Sequence, residues 1–445
     1  MTFIRVIIVL LMLVAFPAEG CAQDWGKDTT VLWDMETCIS YAKQHNIRLN
    51  DLKLDQRISE QELRLSRAAR LPDLYTSASW FVNHNNRLAK GSDNNNAGTF
   101  GSGDYGLNAS WTLYRGGYVS SDIHQKDLYA EAAKLNVLQQ ENDITLQIIQ
   151  YYLNVLLDKE SIIYKQSVLS TSVAQVARAS NQLAAGSIAQ KELLQLEAQL
   201  ANDKYSVITS ENAKRQHLVD LKQLLQLPLA TELDIVAPDS LPTRPFVERL
   251  RDVQEQALND RPEVKNGIVG IAIAKASLDK ALSGAKPSLT LSGFIGSNYS
   301  GSSPAYFRQL SNNLNQQLGL TLSVPIFARS RNAVNIAEAR IGVGQATLRL
   351  KDTRTALSLT IERAYINLVN AQIQFQAATE AFKYNQETYR VADEQLKAGL
   401  INMVEYLQQK TLYIQAQQQF LQAKYNAALT CMIYDFYKGN SSISN

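Results

Sequence analysis

The chain has 445 residues and a balanced charge, with 44 basic and 42 acidic side chains and a formal net charge of +2. This balance argues against nucleic acid as a partner. The four histidines are scattered without metal-ligand spacing, and no serine or cysteine lies in a nucleophile motif. The composition therefore predicts no enzyme and no bound cofactor or metal.

The first residues predict an export signal. Arg5 is followed by the apolar stretch Val6 to Phe16 and then by small residues, as in a secretory signal peptide. The stretch is shorter than the roughly 20 residues that a transmembrane helix needs. Cleavage after Ala22 would make residues 1–22 the signal peptide, whereas a cut before Cys21 would make that cysteine a lipidation site. The remaining cysteines, Cys38 and Cys431, are expected to be buried free thiols.

The rest of the chain is an internal duplication. Residues 34–227 recur as residues 246–438, with a linker at 228–245 and a short tail at 439–445. Pro72 aligns with Pro287 at an offset of 215, and Gly186 aligns with Gly399 at an offset of 213. Because this period far exceeds that of a solenoid repeat, it predicts one duplicated supersecondary unit rather than an array.

Each repeat is expected to begin with a helix, over about 34–70 and about 248–285, and to continue with two strands. The strands alternate with period two. The last strand places Leu318, Leu320, Leu322, Val324 and Ile326 on one face. Its other face is small and polar, with Gly319, Thr321 and Ser323. An apolar face backed by a small polar one suits a sheet with one side in lipid, although a soluble, half-buried hairpin has the same pattern.

The segments between the strands, residues 83–103 and 300–315, are rich in Asn, Gly and Ser and are expected to be exposed loops. One of them holds Gly101-Ser-Gly103-Asp-Tyr-Gly106, which matches a dinucleotide-binding pattern. The pattern here precedes a strand, where a nucleotide site requires a helix, so no such site is predicted.

Two very long helices follow the strands. Residues 118–185 contain no glycine or proline, which predicts a helix of about 100 Å, and apolar residues recur every seven positions as in a coiled coil. Gly186 and Gly399 are expected to end these helices as C-caps. Shorter helices, over about 190–227 and 403–437, would complete a long helical hairpin in each repeat. The proline-rich linker around Leu233–Val236 is expected to form a small belt at the middle of the hairpins.

Four strands per chain cannot close a membrane barrel, because the smallest single-chain barrels use about eight. An open sheet edge is not tolerated in lipid, so the chain is expected to oligomerise. Three copies would supply about 12 strands. Two copies would supply about eight, but the lumen of such a barrel would be filled by side chains.

The order of these elements and several motifs resemble the TolC-like outer-membrane efflux proteins (outer membrane factors). The motifs are Trp33-Asp-Met-Glu-Thr-Cys38-Ile-Ser-Tyr-Ala42, Val324-Pro325-Ile326-Phe327 and Gln395-Leu-Lys-Ala-Gly399. The resemblance covers nearly the whole mature chain. It implies a mostly α fold with a transmembrane β part: a homotrimer in the lipid bilayer of a Gram-negative outer membrane, with a barrel of about 12 strands continued by a periplasmic tunnel of about 12 helices. It also implies export of small molecules or secreted substrates together with a periplasmic adaptor and an inner-membrane transporter.

The resemblance also implies where the tunnel docks and narrows. The hairpin turns would dock the adaptor, at Leu183 and Gly186 and at Leu396 and Gly399. Acidic residues that narrow the lumen in the family lie six and nine positions after the turn glycine. The residues at these positions here are Glu405 and Gln408 in the second repeat and Glu192 and Gln195 in the first. Three copies of Glu405 would attract cations, but a solvated glutamate in the first turn of a helix is equally natural.

Two positions depart from the family pattern. The tyrosine and arginine that latch the closed state in well-studied members would fall at Leu396 and Ile401, so that latch is expected to be absent. The corner Tyr114-Arg-Gly-Gly117 has the family's glycines, whereas Phe327-Ala-Arg-Ser330 has none and is expected to turn less sharply.

The rival class is a trimeric coiled-coil adhesin or envelope scaffold without transport activity, which would not need paired strand hairpins. The sequence does not name the exported substrate or the class of pump.

Overall fold

The computed structural model describes residues 31–85, 98–228, 230–238, 241–242, 249–301 and 306–439. The predicted signal peptide, Cys21 and the tail beyond Gly439 lie outside these residues. The described part forms nine helices. Their bounds are α1 Met35–His45, α2 Ile47–Ala68, α3 Tyr118–Ala184, α4 Gln190–Leu225, α5 Leu250–Asp260, α6 Pro262–Ser283, α7 Tyr306–Asn312, α8 Arg331–Lys397 and α9 Met403–Tyr437.

The six strands of the described residues form two sheets. Their bounds are β1 Val31–Trp33, β2 Asp73–Asn85, β3 Gly98–Arg115, β4 Leu233–Ile235, β5 Ser288–Gly301 and β6 Asn315–Ser323. The larger sheet is antiparallel in the order β2-β3-β5-β6, and β1 pairs with β4 in parallel. The described residues are therefore mostly helical, with one four-stranded sheet at one end of the two long helices.

The long helices α3 and α8 have 67 residues each, which corresponds to about 100 Å. Each is followed by a shorter antiparallel helix, α4 or α9, that packs along its far half. Helix α6 packs against both α3 and α8 and so joins the two halves of the chain. Element lengths recur in the two halves: α2 and α6 have 22 residues each. The repeat boundaries themselves remain a prediction.

The small parallel sheet anchors to the middle of α3. The Tyr152 hydroxyl donates a hydrogen bond to the Val236 carbonyl at 2.5 Å, and Lys159 donates to the Ile235 carbonyl at 2.6 Å while pairing with Asp234 at 2.7 Å. This sheet lies over one of two buried apolar clusters, which is centred on α3 and α4. The other cluster lies between α5, α6, α8 and α9. Burial in this chain is concentrated at mid-height, where the belt is expected.

The structure corrects the first helix of each repeat, because each is two helices with a break between them. The first break is at Asn46, whose side chain accepts from the Leu49 amide at 3.1 Å and donates to the Leu224 carbonyl at 3.0 Å. The second is at Arg261, which has an extended backbone because Pro262 follows it. The two breaks lie at corresponding positions of the two halves, 46 and 261. The apolar periodicity continues across each break, so it predicts one helix where there are two.

Three further expectations were wrong. Residues 98–103, expected in a loop, belong to β3, and the expected loop 300–315 contains helix α7. Strand β6 ends at Ser323, so Val324 and Ile326 lie beyond it.

The second corner does not turn less sharply. Arg329 and Ser330 have φ of +49° and +63°, in the same left-handed region as Gly116 and Gly117 at +60° and +87°. Two side chains are thus held at one corner in the conformation that glycine provides freely at the other.

Candidate functional site

The apolar face of the sheet is exposed in the single chain. Leu318, Leu320 and Leu322 are 79%, 64% and 64% exposed. The register places Leu320 opposite Leu291 and Leu291 opposite Trp111, so the face continues across β6, β5 and β3. Val324, predicted to belong to this face, is exposed one residue beyond the strand.

A bulge in β3 extends this face. Thr112 pairs with Thr290 and Tyr114 pairs with Leu289, which leaves Leu113 as an extra residue. The bulge brings Leu113 and Tyr114 to the same side, and both are exposed. Strict alternation in the sequence assigns Leu113 to this face and misses Tyr114.

The other face of the sheet carries small polar residues, including Thr321, Ser292 and Asn108. The face also carries aromatic residues, among them Phe294, whose ring covers Gly106 and Gly296. A Cβ atom on either glycine would lie 2.4 Å from that ring. The third glycine of the dinucleotide-like pattern is therefore explained by packing within a sheet.

Both helical turns are closed by the predicted glycines. Gly186 and Gly399 have φ of +74° and +70°, and their amides donate to the carbonyls of Leu183 and Leu396 at 2.9 and 3.1 Å. The next amide, of Ser187 or Leu400, donates back to the helix at 2.9 Å in each turn. These are Schellman caps, which leave Gly186, Gly399 and the side chain of Leu400 exposed at the ends of the hairpins.

The candidate constriction residues lie in the first two turns of α4 and α9. The Asn402 side chain accepts from the Glu405 amide at 2.9 Å and caps α9. Glu405 and Gln408 are exposed, whereas Glu192 and Gln195 are half-buried. Leu396 and Ile401 are half-buried apolar side chains. Within one chain these residues are placed near the tips, and their roles remain a prediction.

A buried ion pair that sequence reasoning missed joins the two hairpins near the tips. The Lys410 ammonium of α9 donates to the Asp203 carboxylate of α4 at 2.9 Å and to the Ser172 hydroxyl of α3 at 2.5 Å. Ser172 donates to Asp203 at 2.5 Å, and Gln199 donates to the other carboxylate oxygen at 2.9 Å. The Lys410 and Asp203 side chains are only 2% and 7% exposed. The charges are paired and hydrogen-bonded, as burial requires.

One helical turn closer to the tip, Tyr406 makes a second polar contact between the hairpins. It is fully buried, accepts a hydrogen bond from the Gln175 amide of α3, and lies 2.8 Å from the Tyr389 hydroxyl of α8. Burial raises the pKa of Tyr406 above its usual value, and the neighbouring Tyr389 adds to this effect. The phenol therefore stays neutral and can act as donor and acceptor at once.

Behind Tyr406, aromatic rings line the seam between α8 and α9. Tyr389, Tyr413, Phe382, Phe420 and Phe375 stack in sequence, with neighbouring ring centroids 5.0 to 5.9 Å apart. The rings recur every seven residues on each helix. This heptad spacing was the signal in the sequence that could have located the seam. Nothing in the sequence pairs Lys410 with Asp203.

Known proteins with a similar sequence belong to one family. The family model for the outer membrane efflux protein matches residues 38–226 and 253–430. The chain belongs to the outer membrane efflux protein family. Within it, the chain is similar to Protein CyaE of Bordetella pertussis (25% identical, over 66% of this chain and 64% of that protein) and to Outer membrane protein TolC of Vibrio cholerae (21% identical, over 84% and 83%). The match thus spans just under two thirds of CyaE.

Solved structures share the fold. CusC matches with a TM-score of 0.79 and 19% identity, covering 93% of this chain and 95% of that one. The Campylobacter jejuni CmeC outer membrane channel matches with a TM-score of 0.77 and 16% identity, covering 94% and 90%. The fold of an outer-membrane channel-tunnel and the resemblance seen in the sequence are confirmed.

Family membership places the chain in the outer membrane of a Gram-negative cell, with a helical periplasmic part. Members of the family are channels rather than enzymes, and the adhesin alternative is not favoured. Among the described helices, none is long and apolar enough to cross a membrane. The described residues also include no group of three potential metal ligands.

Proposed function

We propose that three copies of this chain form an outer-membrane export channel whose helical tunnel crosses the periplasm. The observation that carries the proposal is the four-stranded sheet, in which β2 and β6 are edges without a partner among the described residues and one face is apolar and exposed. Lipid provides no hydrogen-bond partner for a free edge. The edge β2 of one copy would therefore pair with β6 of the next, and three copies would close about 12 strands.

The helices support the same assembly. Large apolar side chains are exposed along α8 and on the opposite flank of the chain, along α2 and α4. Those on α8 include Ile341, Leu348 and Ile373, and those on the other two helices include Leu54, Leu65, Tyr205 and Val219. A monomer that exposes apolar residues on two flanks at the same height suits a cyclic arrangement in which one flank covers the other.

The exposed capped turns would contact a periplasmic adaptor, which would connect the tunnel to an inner-membrane transporter. Leu183, Gly186, Leu396 and Gly399 form these turns, and Glu405 with Gln408, Glu192 and Gln195 would line the narrow end. In the closed barrel the polar face of the sheet would line the lumen, and small molecules or secreted substrates would leave through that lumen. Support for this step comes from family membership and from the position of the turns at the far end from the sheet.

The experiment is to purify the full chain in detergent, measure its mass, and reconstitute it in planar bilayers. We expect the mass of three chains plus detergent, and ion conductance in discrete steps. A monodisperse monomer that keeps its β signal contradicts barrel closure. A stable trimer that never conducts would support the scaffold alternative instead.

A further inference from the structure

We propose that the junction between sheet and helices holds a binding site for a small organic anion, through Arg115 and Lys286. A cavity of about 460 Å³ lies there, bounded by the ends of β3, β5 and β6 and by the adjoining ends of α3, α6 and α8. Its volume is within the range of small-molecule pockets. The site rests on the proposed function, because its ligand would be the carboxylate or phosphate group of a solute in the lumen.

The charge of the cavity is positive. Arg115, Lys280 and Lys286 line it. Lys280 is neutralised by Asp122, whose carboxylate lies 2.6 Å from its ammonium. Burial alone would raise the pKa of Asp122, but hydrogen bonds from Lys280 and Ser66 outweigh it and hold that pKa below its usual value. Among the described residues, no carboxylate lies within 4.0 Å of the charged nitrogens of Arg115 or Lys286, so two cations remain for a ligand.

The corner orients the Arg115 guanidinium and fixes the backbone position of Lys286. The Arg115 guanidinium lies 4.4 Å from the centre of the Tyr118 ring, and the Lys280 ammonium lies 5.1 Å from the same ring. A Cβ atom on Gly116 would lie 2.7 Å from the Cβ atom of Lys286. Only a glycine at 116 allows the backbone of Lys286 to approach this closely. A guanidinium that is already held in place loses little side-chain entropy when an anion binds.

The sheet register places the cavity on the polar side. Arg115 is opposite Ser288, and Ser288 is opposite Ser323, and both serines line the cavity. This is the face opposite Leu320 and Leu322. In a closed barrel it would face the lumen, and three copies would give a ring of positive charge where sheet and tunnel meet. Such rings select anions in pores.

The fold itself does not require these charges. By the offsets between the two halves, the positions of Arg115, Lys280 and Lys286 correspond to Ala328, Leu65 and Leu71. The other corner makes its turn without any of the three cations. Lys280 is explained by its pairing with Asp122. An oxyanion ligand would explain Arg115 and Lys286, since guanidinium and ammonium groups are the usual partners of carboxylate and phosphate.

The test compares three forms of the full chain in detergent, titrated by calorimetry with citrate and with inorganic phosphate. The variant is Arg115→Gln/Lys286→Gln, and the charge-matched control is Arg329→Gln/Arg340→Gln, which removes two exposed cations outside the cavity lining. We expect saturable citrate binding that weakens at least about tenfold in the variant, as for loss of a charge-assisted hydrogen bond, and is unchanged in the control. Equal weakening in both variants, or in neither, would overturn the site.

Two further measurements separate the possible sources of the anion and the two proposals. Native mass spectrometry that finds a phospholipid bound to wild type and absent from the variant would assign the site to a headgroup and overturn the solute ligand. In bilayers, the variant should lose anion selectivity relative to the control. If the protein binds citrate in detergent but conducts no ions in bilayers, the proposed channel function is wrong and the proposed anion site is retained.

Discussion

The ion pair between Lys410 and Asp203 gives the sharpest prediction about the helical tips. Replacing Lys410 by Met removes the ammonium but leaves the Asp203 carboxylate 7% exposed, with hydrogen bonds only from Ser172 and Gln199. Breaking a buried pair in this way costs about 3–5 kcal/mol, because an uncompensated charge stays in the interior. The double variant Lys410→Met/Asp203→Leu removes both charges, and we expect it to recover most of that loss.

The assay is amide hydrogen exchange of the assembled protein, read at residues 170–205 and 400–412, where local opening separates the hairpins. We expect the free energy of opening to fall by about 3–5 kcal/mol in Lys410→Met and to return toward wild type in the double variant. Lys397→Met is the matched control, since Lys397 pairs with Asp393 at 2.8 Å on the surface of the same tip. It should change little because water screens an exposed pair.

If Lys410→Met opens no faster than Lys397→Met, the buried ion pair does not stabilise the contact between the hairpins. A double variant as unstable as the sum of the single variants Lys410→Met and Asp203→Leu would likewise show that the pair contributes no coupling.

On the sheet, Leu320→Arg should cost roughly 2–4 kcal/mol and block membrane assembly, whereas Thr321→Arg should assemble; the reverse result would invert the lipid and lumen faces. At the turn, Gly399→Ala forces a left-handed residue with a Cβ and should reduce export at normal trimer levels, and unchanged export would argue against docking there. At the narrow end, Glu405→Gln should lower cation selectivity and weaken block by divalent cations, most clearly at low salt, and identical block would return Glu405 to a solvated helix residue. At the second corner, Ser330→Gly should raise stability by about 0.5–1 kcal/mol in thermal unfolding, since it relieves a left-handed φ, and a loss of stability would show that no strain is stored there.

Each of these variants has a partner that separates the named cause from a general effect. Gly342 lies in α8 at a position where an added Cβ atom would meet nothing within 4 Å, so Gly342→Ala should leave export intact. Glu192→Gln removes the same charge at the first-repeat turn and should have the smaller effect on selectivity. Ala337→Gly adds a glycine inside α8 and should destabilise by about 1 kcal/mol, opposite in sign to Ser330→Gly.

Elements that depend on local patterns could be predicted from the sequence. The ends of α3 and α9 are close to the predicted ones, because neither of these two helices contains a glycine or proline and each is followed by a glycine in the left-handed region. The apolar face through Leu318, Leu320 and Leu322 follows from a period of two. These signals are read within one turn or one strand pair, so they need no knowledge of distant contacts.

Features that depend on distant partners were not predictable. The bend at Asn46 is stabilised by the Leu224 carbonyl on α4, and the bulge at Leu113 is defined by its pairing with β5. The left-handed conformation of Arg329 and Ser330 has no sequence signature, because glycine is the residue that normally indicates a positive φ and neither position has one.

The sequence by itself determined the long helices, the strands of the large sheet, the capped turns and the family, because periodicity, glycines and proline positions act locally along the chain. Tertiary structure alone decided which polar side chains meet. Lys410 and Asp203 are 207 residues apart in the chain, and Lys280 and Asp122 are 158 residues apart. Such pairs form only when packing brings three or four helices together, since burial makes a partner necessary and the fold determines which partner is within reach.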